Sequence, residues 1–394
     1  MGGFLFIDFH QQVKLSIAPM RRIGRRRQRE VFTSRLPRFI ALLVAALLCV
    51  PLAGCGSNAY KKYSAEFFNT FDTVIQVMGY TKTEKEFDAW VQRAQDRFVE
   101  LNRLYDQYND YEGVNNVKTI NDNAGKAPVL VHPDLFAMLK TSRDWCQNSP
   151  AGINIAMGSV LKIWHDYRDA GLNDPANAKL PPMDELRAAA GHTDLNKLIL
   201  DEANQTVFLE DPEMALDVGS VAKGYATEIV ARELEAAGWN SFIISSGGNV
   251  RVGGSPLDGK RSKWGVGITD PSKPDAGTSD EVTLDTVFCT NQSVTTAGDY
   301  QRFYIVDGKA YNHIIDPETL MSATRFRAVS VVTPDSGYAD FLDTLLFILP
   351  YEDGLAYVKT LPGVEALWVF PDGTVQVTEG LKPMLKKIGG ATNQ

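Results

Sequence analysis

Asp340-Phe-Leu-Asp343-Thr344 heads the apolar run LLFIL, and positions i, i+3 and i+4 of a helix share one face. Two carboxylates and a hydroxyl would converge there beside buried surface, where like charges repel unless neutralised. A hard cation such as Mg²⁺ or Ca²⁺ with oxygen ligands resolves that conflict; plain capping of a helix start by acids and Thr is the other use of the pattern. A second stretch, DVGSVAKGYATEIVARELEAAG from Asp217 to Gly238, places Lys223 in the first turn of an amphipathic helix, the end that disfavours a cation. Backbone amides at a helix start bind anions, so Lys223 fits a phosphate site, or else it snorkels into solvent. In Tyr311-Asn-His313-Ile-Ile-Asp316-Pro317-Glu-Thr319, His313 ends a strand-like piece before a Pro turn. Beside metal and phosphate candidates it becomes a candidate general base. In Ser245-Ser-Gly247-Gly248-Asn249 the paired glycines either admit a ligand close to the backbone or form a plain turn. The chain has neither a Walker P-loop nor a GxGxxG placed after a strand.

The elements that must position these groups alternate irregularly. Period-2 patterning predicts strands over Phe71–Tyr80, TVFLE (206–210), SFIISSGGNVRVGG, KWGVGITD, SVTTAGDYQRFYIV and AVSVVTP, and a hairpin with an Asp-Gly turn in ALWVFPDGTVQVT. Helical periodicity covers about 84–105, 132–148, 161–167, 183–190, 339–349 and 352–360, besides the Lys223 helix. Residues 56–66 read as a polar spacer. Without regular βαβ alternation the fold class is α+β, with mixed sheets packed against helices in a single domain over 67–390.

Residues 1–54 are of another kind. Arg21, Arg22, Arg25, Arg26, Arg27, Arg35 and Arg38 precede the apolar FIALLVAALLCVPL and then Leu52-Ala-Gly-Cys55. Basic, apolar and small-residue regions in that order predict a secretory signal, and the apolar run falls short of the ~20 residues a membrane span needs. Leu-Ala-Gly-Cys is also the pattern of a bacterial lipobox, which makes Cys55 the expected lipidation site and the outer side of the cell membrane the expected location. Residues 1–54 hold nine Lys/Arg and two Asp/Glu. The chain's 40 basic and 48 acidic residues therefore become 31 and 46 without them, a formal net charge of −15. So acidic a body excludes nucleic acid as a partner. With no CxxC or Cys/His cluster, zinc and thiol-redox chemistry lack support; Cys146 and Cys289 can pair or stay as two buried thiols.

Taken in order, the motifs resemble the ApbE-type FAD:protein FMN transferases over about 71–381. DVGSVAKGYA is similar to that family's D-x-G-x-x-A-K-G-Y-A block, SSGGNV to its Gly-Gly-Asn segment and TTAGDYQRFY to its T-S-G-D-Y strand. HIIDPET is similar to its His-x-x-Asp-Pro-x-Thr, and ADFLDTLLFIL to its Asp-x-x-x-Thr metal block. The resemblance implies an ApbE/T-fold-like catalytic domain. It implies an enzyme that binds FAD with Mg²⁺ and moves the FMN half onto a Thr of an acceptor protein, at a Ser/Gly-Ala-Thr site, with release of AMP. Carried over residue by residue, Asp340, Asp343, Thr344 and a main-chain oxygen at Ser220 would hold the metal. Asp217 and Lys223 would contact FAD, with Phe71, Tyr108, Gly152, Ile153, Asn154, Gly248 and Ile314 around the flavin and His313 as the base for the acceptor threonine. Three positions depart from the family pattern: Phe71 stands in its Met-Gly-Thr, Asn154 where it has Asp, and Leu320 where it has Gly. A flavin-binding lipoprotein without transfer activity, or an enzyme that hydrolyses FAD with Mg²⁺, would also accommodate these changes.

Overall fold

Lys61–Thr70 (β1) and Thr73–Thr81 (β2) form a hairpin whose two-residue turn, Phe71 and Asp72, has φ of 52° and 54°. Turns with two positive φ values match the twist of paired strands. The computed structural model describes residues 59–150, 152–273 and 283–394, so the expected signal, the lipobox and Cys55 lie outside the described residues. The span read as a polar spacer needs correction from Lys61 onward, because it is already β1. Alternate residues Tyr63 and Ala65 pack on the core, and Tyr63 stacks on Phe87 at 5.5 Å.

Helices α1 (Glu84–Tyr105) and α2 (Val117–Asp122) follow, then the short strand β3 (Val129–Leu130) and helices α3 (Pro133–Gln147), α4 (Gly158–Asn173) and α5 (Met183–Ala190). Strands β4 (Leu198–Asp201) and β5 (Thr206–Leu209) join β3 in a small sheet. Helix α6 (Ala222–Ala236) leads into the hairpin of β6 (Ser241–Ser246) and β7 (Asn249–Gly254). A second hairpin pairs β8 (Trp264–Thr269) with β9 (Thr283–Cys289). The stretch expected as one strand from Ser293 to Val306 is two, β10 (Ser293–Gly298) and β11 (Phe303–Val306); β11 pairs with β12 (Lys309–Asn312) instead of continuing the ladder. Asp299 still donates its N–H to the Arg327 carbonyl at 3.0 Å, in register with β13, and the chain then turns over residues 299–302 before β11 begins. Then come β13 (Ala328–Thr333), α7 (Ser336–Ile348), α8 (Tyr351–Val358), β14 (Glu365–Val369), β15 (Val375–Val377) and α9 (Lys386–Gly389).

The main sheet has the order β1-β2-β6-β7-β10-β13-β14-β15, and each of its ladders is antiparallel. Strand alternation sends Ile75, Val77, Phe242, Ile244, Val329 and Val331 to one face, where α1, α3, α6 and α7 pack, with α2 and the small β3–β5–β4 sheet joining the same core. Val252, Val294, Ala328 and Val332 point to the other face and pack with the β8–β9 hairpin and Leu385. Helices α4 and α5 cover the β11–β12 hairpin in a third cluster that includes Trp164, Tyr304 and Leu320. The fold is α+β, as the element order implies. Cys146 belongs to the first core and Cys289 to the second, and both are free and buried, so the two thiols do not pair. Among the described residues no helix is long and apolar enough to cross a membrane.

Candidate active site

Helix α7 is unusually apolar, and Ala339, Phe341, Leu342, Leu345 and Leu346 anchor it in the core. Its acids therefore go wherever that packing sends them, and both Asp340 and Asp343 are buried. Asp340 meets the start of α6. Its Oδ2 accepts the Gly224 N–H at 2.9 Å, and its Oδ1 lies 3.2 Å from Lys223 Nζ, which also reaches the Gly219 carbonyl at 3.4 Å. Lys223 thus faces a carboxylate of its own chain. The helix start that could receive a phosphate already holds Asp340. Gly224 is what permits this approach, since a Cβ there would lie 2.3 Å from the Ser336 carbonyl oxygen and 2.5 Å from Asp340 Cβ.

Asp343 has no such partner. Burial pushes its carboxyl well above the ordinary range and Asp340 adds to this, while Lys223, Thr344 and Thr295 oppose it. The Thr344 hydroxyl is loosely held, 3.3 Å from Asp343 Oδ1 and 3.4 Å from the Asp340 carbonyl. Thr295 Oγ1, from β10, and Asn249 Nδ2, from β7, are buried beside these helices without a hydrogen-bond partner. Among the described residues no cluster of three or more His, Cys, Asp and Glu is placed to hold a metal. Two buried carboxylates, the loosely held Thr344 hydroxyl and the Thr295 hydroxyl nevertheless fit a hard divalent ion with oxygen ligands. Ser220 is half-buried in the turn that precedes α6, three residues before Lys223.

Asp217 is buried upstream of that turn. Its Oδ1 accepts the Gly219 N–H (2.9 Å) and its Oδ2 accepts Gln107 Nε2 (2.7 Å). Gln107 also donates to the Tyr108 hydroxyl at 3.0 Å, and that hydroxyl lies 3.0 Å from His165 Nδ1. Tyr108 is well exposed, so its ring is presented to solvent by a fixed hydroxyl. Burial lowers the His165 pKa and Asp217 opposes the shift. Gly152, Ile153 and Asn154 precede α4. Asn154 donates to the Thr193 carbonyl (2.6 Å) and accepts from the Ala156 N–H (2.8 Å), and Ile155 accepts the Asp217 N–H at 2.8 Å. An aspartate at 154 could not donate to Thr193, so the asparagine ties this turn to Thr193, while the Ile155 carbonyl joins it to the Asp217 segment.

His313 leaves β12 at the edge of the β11–β12 hairpin. Its N–H and its Nδ1 both reach the Arg302 carbonyl, at 3.0 and 3.2 Å. A carbonyl only accepts, so Nδ1 carries the proton and Nε2 is the free base. Burial, with the positive charges of Arg302 and Lys223, pushes the ring pKa down to about 3. Lys223 acts on His313, so the ring lies within electrostatic reach of the α6–α7 cluster. Ile314 is buried in the main core, its N–H on Asn312 Oδ1 and its carbonyl on the Ala323 N–H. Phe71 packs on Phe98 and Tyr105, each at 6.3 Å. Gly247 and Gly248 form the β6–β7 turn with φ of 56° and 94°; a Cβ on Gly248 would meet Gln301 at 3.6 Å. Sequence patterning passed over Thr295, Gln107, His165 and Arg302. The alternation of β10 carried a signal for Thr295, which shares the helix-facing side with Ser293 and Ala297.

The model described as the ApbE family matches residues 71–368. This chain belongs to the ApbE family. Curated ApbE relatives include an FAD:protein FMN transferase of Treponema pallidum (strain Nichols), 35% identical over 274 residues, which span 66% of this chain and 72% of that protein. Another, from Klebsiella pneumoniae (strain 342), is 29% identical over 272 residues, 68% of this chain and 80% of that one. Among solved structures, the ApbE protein of Thermotoga maritima superposes with a TM-score of 0.71 at 22% identity, covering 82% of this chain and 99% of that one. The flavin transferase ApbE of Vibrio cholerae gives 0.65 at 19%, with the same coverage. At these identities the superpositions speak for the fold.

Proposed function

We propose that this chain is an FAD:protein FMN transferase that moves the FMN half of FAD onto a threonine hydroxyl of an acceptor protein and releases AMP. The observation that carries the reading is the Lys223–Asp340–Asp343 cluster at the start of α6, with His313 within its electrostatic reach, in a chain of this family. Asp340, Asp343, Thr344 and the Ser220 carbonyl would hold Mg²⁺, whose charge would neutralise pyrophosphate oxygens and the leaving group. Asp217 and Lys223 orient FAD, and Phe71, Tyr108, the Gly152-Ile153-Asn154 turn, Gly248 and Ile314 border the flavin. His313 Nε2 takes the proton of the acceptor threonine as its oxygen bonds to the phosphorus of the FMN half. The bond from that phosphorus to the bridging oxygen breaks, AMP leaves with that oxygen, and His313 returns its proton to solvent. A bound pyrophosphate would offset the cations that, after burial, depress His313, and would return part of its basicity. The acceptor carries a Ser/Gly-Ala-Thr site and lies outside the cytoplasm, where lipid on Cys55 tethers the domain to the cell membrane.

The test incubates purified protein with FAD, Mg²⁺ and a peptide containing Ser-Ala-Thr, and reads peptide mass. A gain of one FMN, lost in Asp340→Ala, is expected. FAD bound without any adduct overturns the reading, and FMN and AMP appearing free would make the chain an FAD hydrolase.

A further inference from the structure

Glu228, one turn beyond Gly224 on α6, is a buried carboxylate that the transfer mechanism leaves unused. Its Oε2 accepts the Ser336 N–H at 2.8 Å and Arg251 Nε at 3.0 Å, and its Oε1 accepts Arg232 Nε at 2.7 Å. Ser336 is the first residue of α7 and lies one turn before Asp340. Two bonds of one kind therefore join the helices in opposite senses. The Gly224 N–H near the start of α6 meets the Asp340 carboxylate of α7, and the Ser336 N–H at the start of α7 meets the Glu228 carboxylate of α6. Each helix lends an otherwise orphaned first-turn amide to an acid of its neighbour. Ser336 Oγ extends the join by donating to Asn249 Oδ1 at 2.5 Å.

A buried ion pair such as Glu228–Arg251 is a poor source of net stability, because an apolar pair of similar volume commonly does as well. Its advantage is geometric. A carboxylate fixed by Arg251 on β7 holds the start of α7 at one height along α6, and that height determines whether Asp340, one turn on, reaches Gly224 and Lys223. We propose that Glu228 is a positioning residue that sets Asp340 for cation binding. The inference rests on reading Asp340 as a metal ligand, and its test separates the two.

In Glu228→Gln, hydrogen exchange of the Gly224 amide should accelerate at least tenfold, and calorimetry should show Mg²⁺ binding weakened at least tenfold. The double variant Glu228→Met, Arg251→Met leaves no buried charge unpaired. It should recover thermal stability while keeping the fast Gly224 exchange and the weak Mg²⁺ binding. It also serves where the single variant does not fold. Gly224 exchange at the wild-type rate in the folded variants overturns the proposal, whatever happens to stability. Accelerated exchange in a protein whose wild type binds no Mg²⁺ upholds the positioning role and refutes the metal reading.

Discussion

Asp343→Asn should invert the usual effect of mutating a buried charge. Asp340 and Asp343 are both buried three residues apart on α7, and Lys223 pairs with Asp340 alone. Residues so spaced on a helix are about 5–6 Å apart at Cβ, which at an effective dielectric of about 20 corresponds to about 3 kcal/mol of repulsion. Lys223 offsets part of this, and proton uptake at the raised Asp343 carboxyl relieves more. Removing the Asp343 charge should then stabilise the metal-free protein by about 1–2 kcal/mol, a rise of about 1.5–3 °C in Tm. Mg²⁺ reverses the order. At a hundredfold excess over its Kd it should stabilise the wild type by about 2.7 kcal/mol, while the variant has lost a ligand and gains little. Melts followed by circular dichroism in EDTA and in a Mg²⁺ series should therefore cross, with the variant ahead without metal and the wild type ahead with it. Transfer activity should fall with the variant's Mg²⁺ response. A variant less stable than wild type in EDTA would refute the repulsion, and an equal Mg²⁺ response would remove Asp343 from the metal site.

Two further outcomes follow from the same geometry. Gly224→Ala places a methyl within 2.5 Å of Asp340 Cβ and nearer still to the Ser336 carbonyl, so α6 and α7 must separate. A loss of about 1–3 kcal/mol in urea unfolding, with Mg²⁺ binding abolished, is expected, and retained binding would contradict the contact. His313 has a folded pKa below its ordinary value of 6.5, so the unfolded chain binds its proton first. Stability should fall as pH drops from about 6.5 toward 3, by at most about 1.4 kcal/mol per pH unit and less for a half-buried ring. His313→Gln should flatten that slope in urea titrations at pH 5 and 7.5, and an unchanged slope would mean the ring is already solvated.

Much of the fold was readable because it is local. The α1 boundaries at Glu84 and Tyr105 and those of α5 at Met183 and Ala190 coincide with the periodic segments, and a Thr83 cap and a Pro182 entry explain why the patterns begin there. Strand β1 was hidden because it is an edge strand. It buries only alternate residues, and its Lys and Glu positions read as a spacer. Strand β9 was passed over although TLDTVFC is rich in strand formers, and β12 was met only as the strand-like piece before His313.

The site divides along the same line. Asp340, Asp343 and Thr344 share a helical face that spacing alone foretells, whereas the partner of Lys223 lies 117 residues away and no local rule finds it. Where patterning left a choice between phosphate and solvent, the structure adds a third partner for Lys223, since Gly224 lets α7 bring its own carboxylate to the helix start. The family departures are informative for a related reason. Leu320 stands where a glycine is usual and has a φ of 60°, a conformation strained for leucine. Its buried side chain packs with Trp164, whose indole N–H donates to the Leu320 carbonyl at 3.0 Å. The third cluster thus holds the turn after His313 in a shape that glycine would reach without help. Asn154 likewise converts an expected acid into a tie between Thr193 and Ala156. Both substitutions move a geometric task from the backbone or a charge to tertiary contacts, so they keep the turns that border the site while removing the residues a motif search relies on.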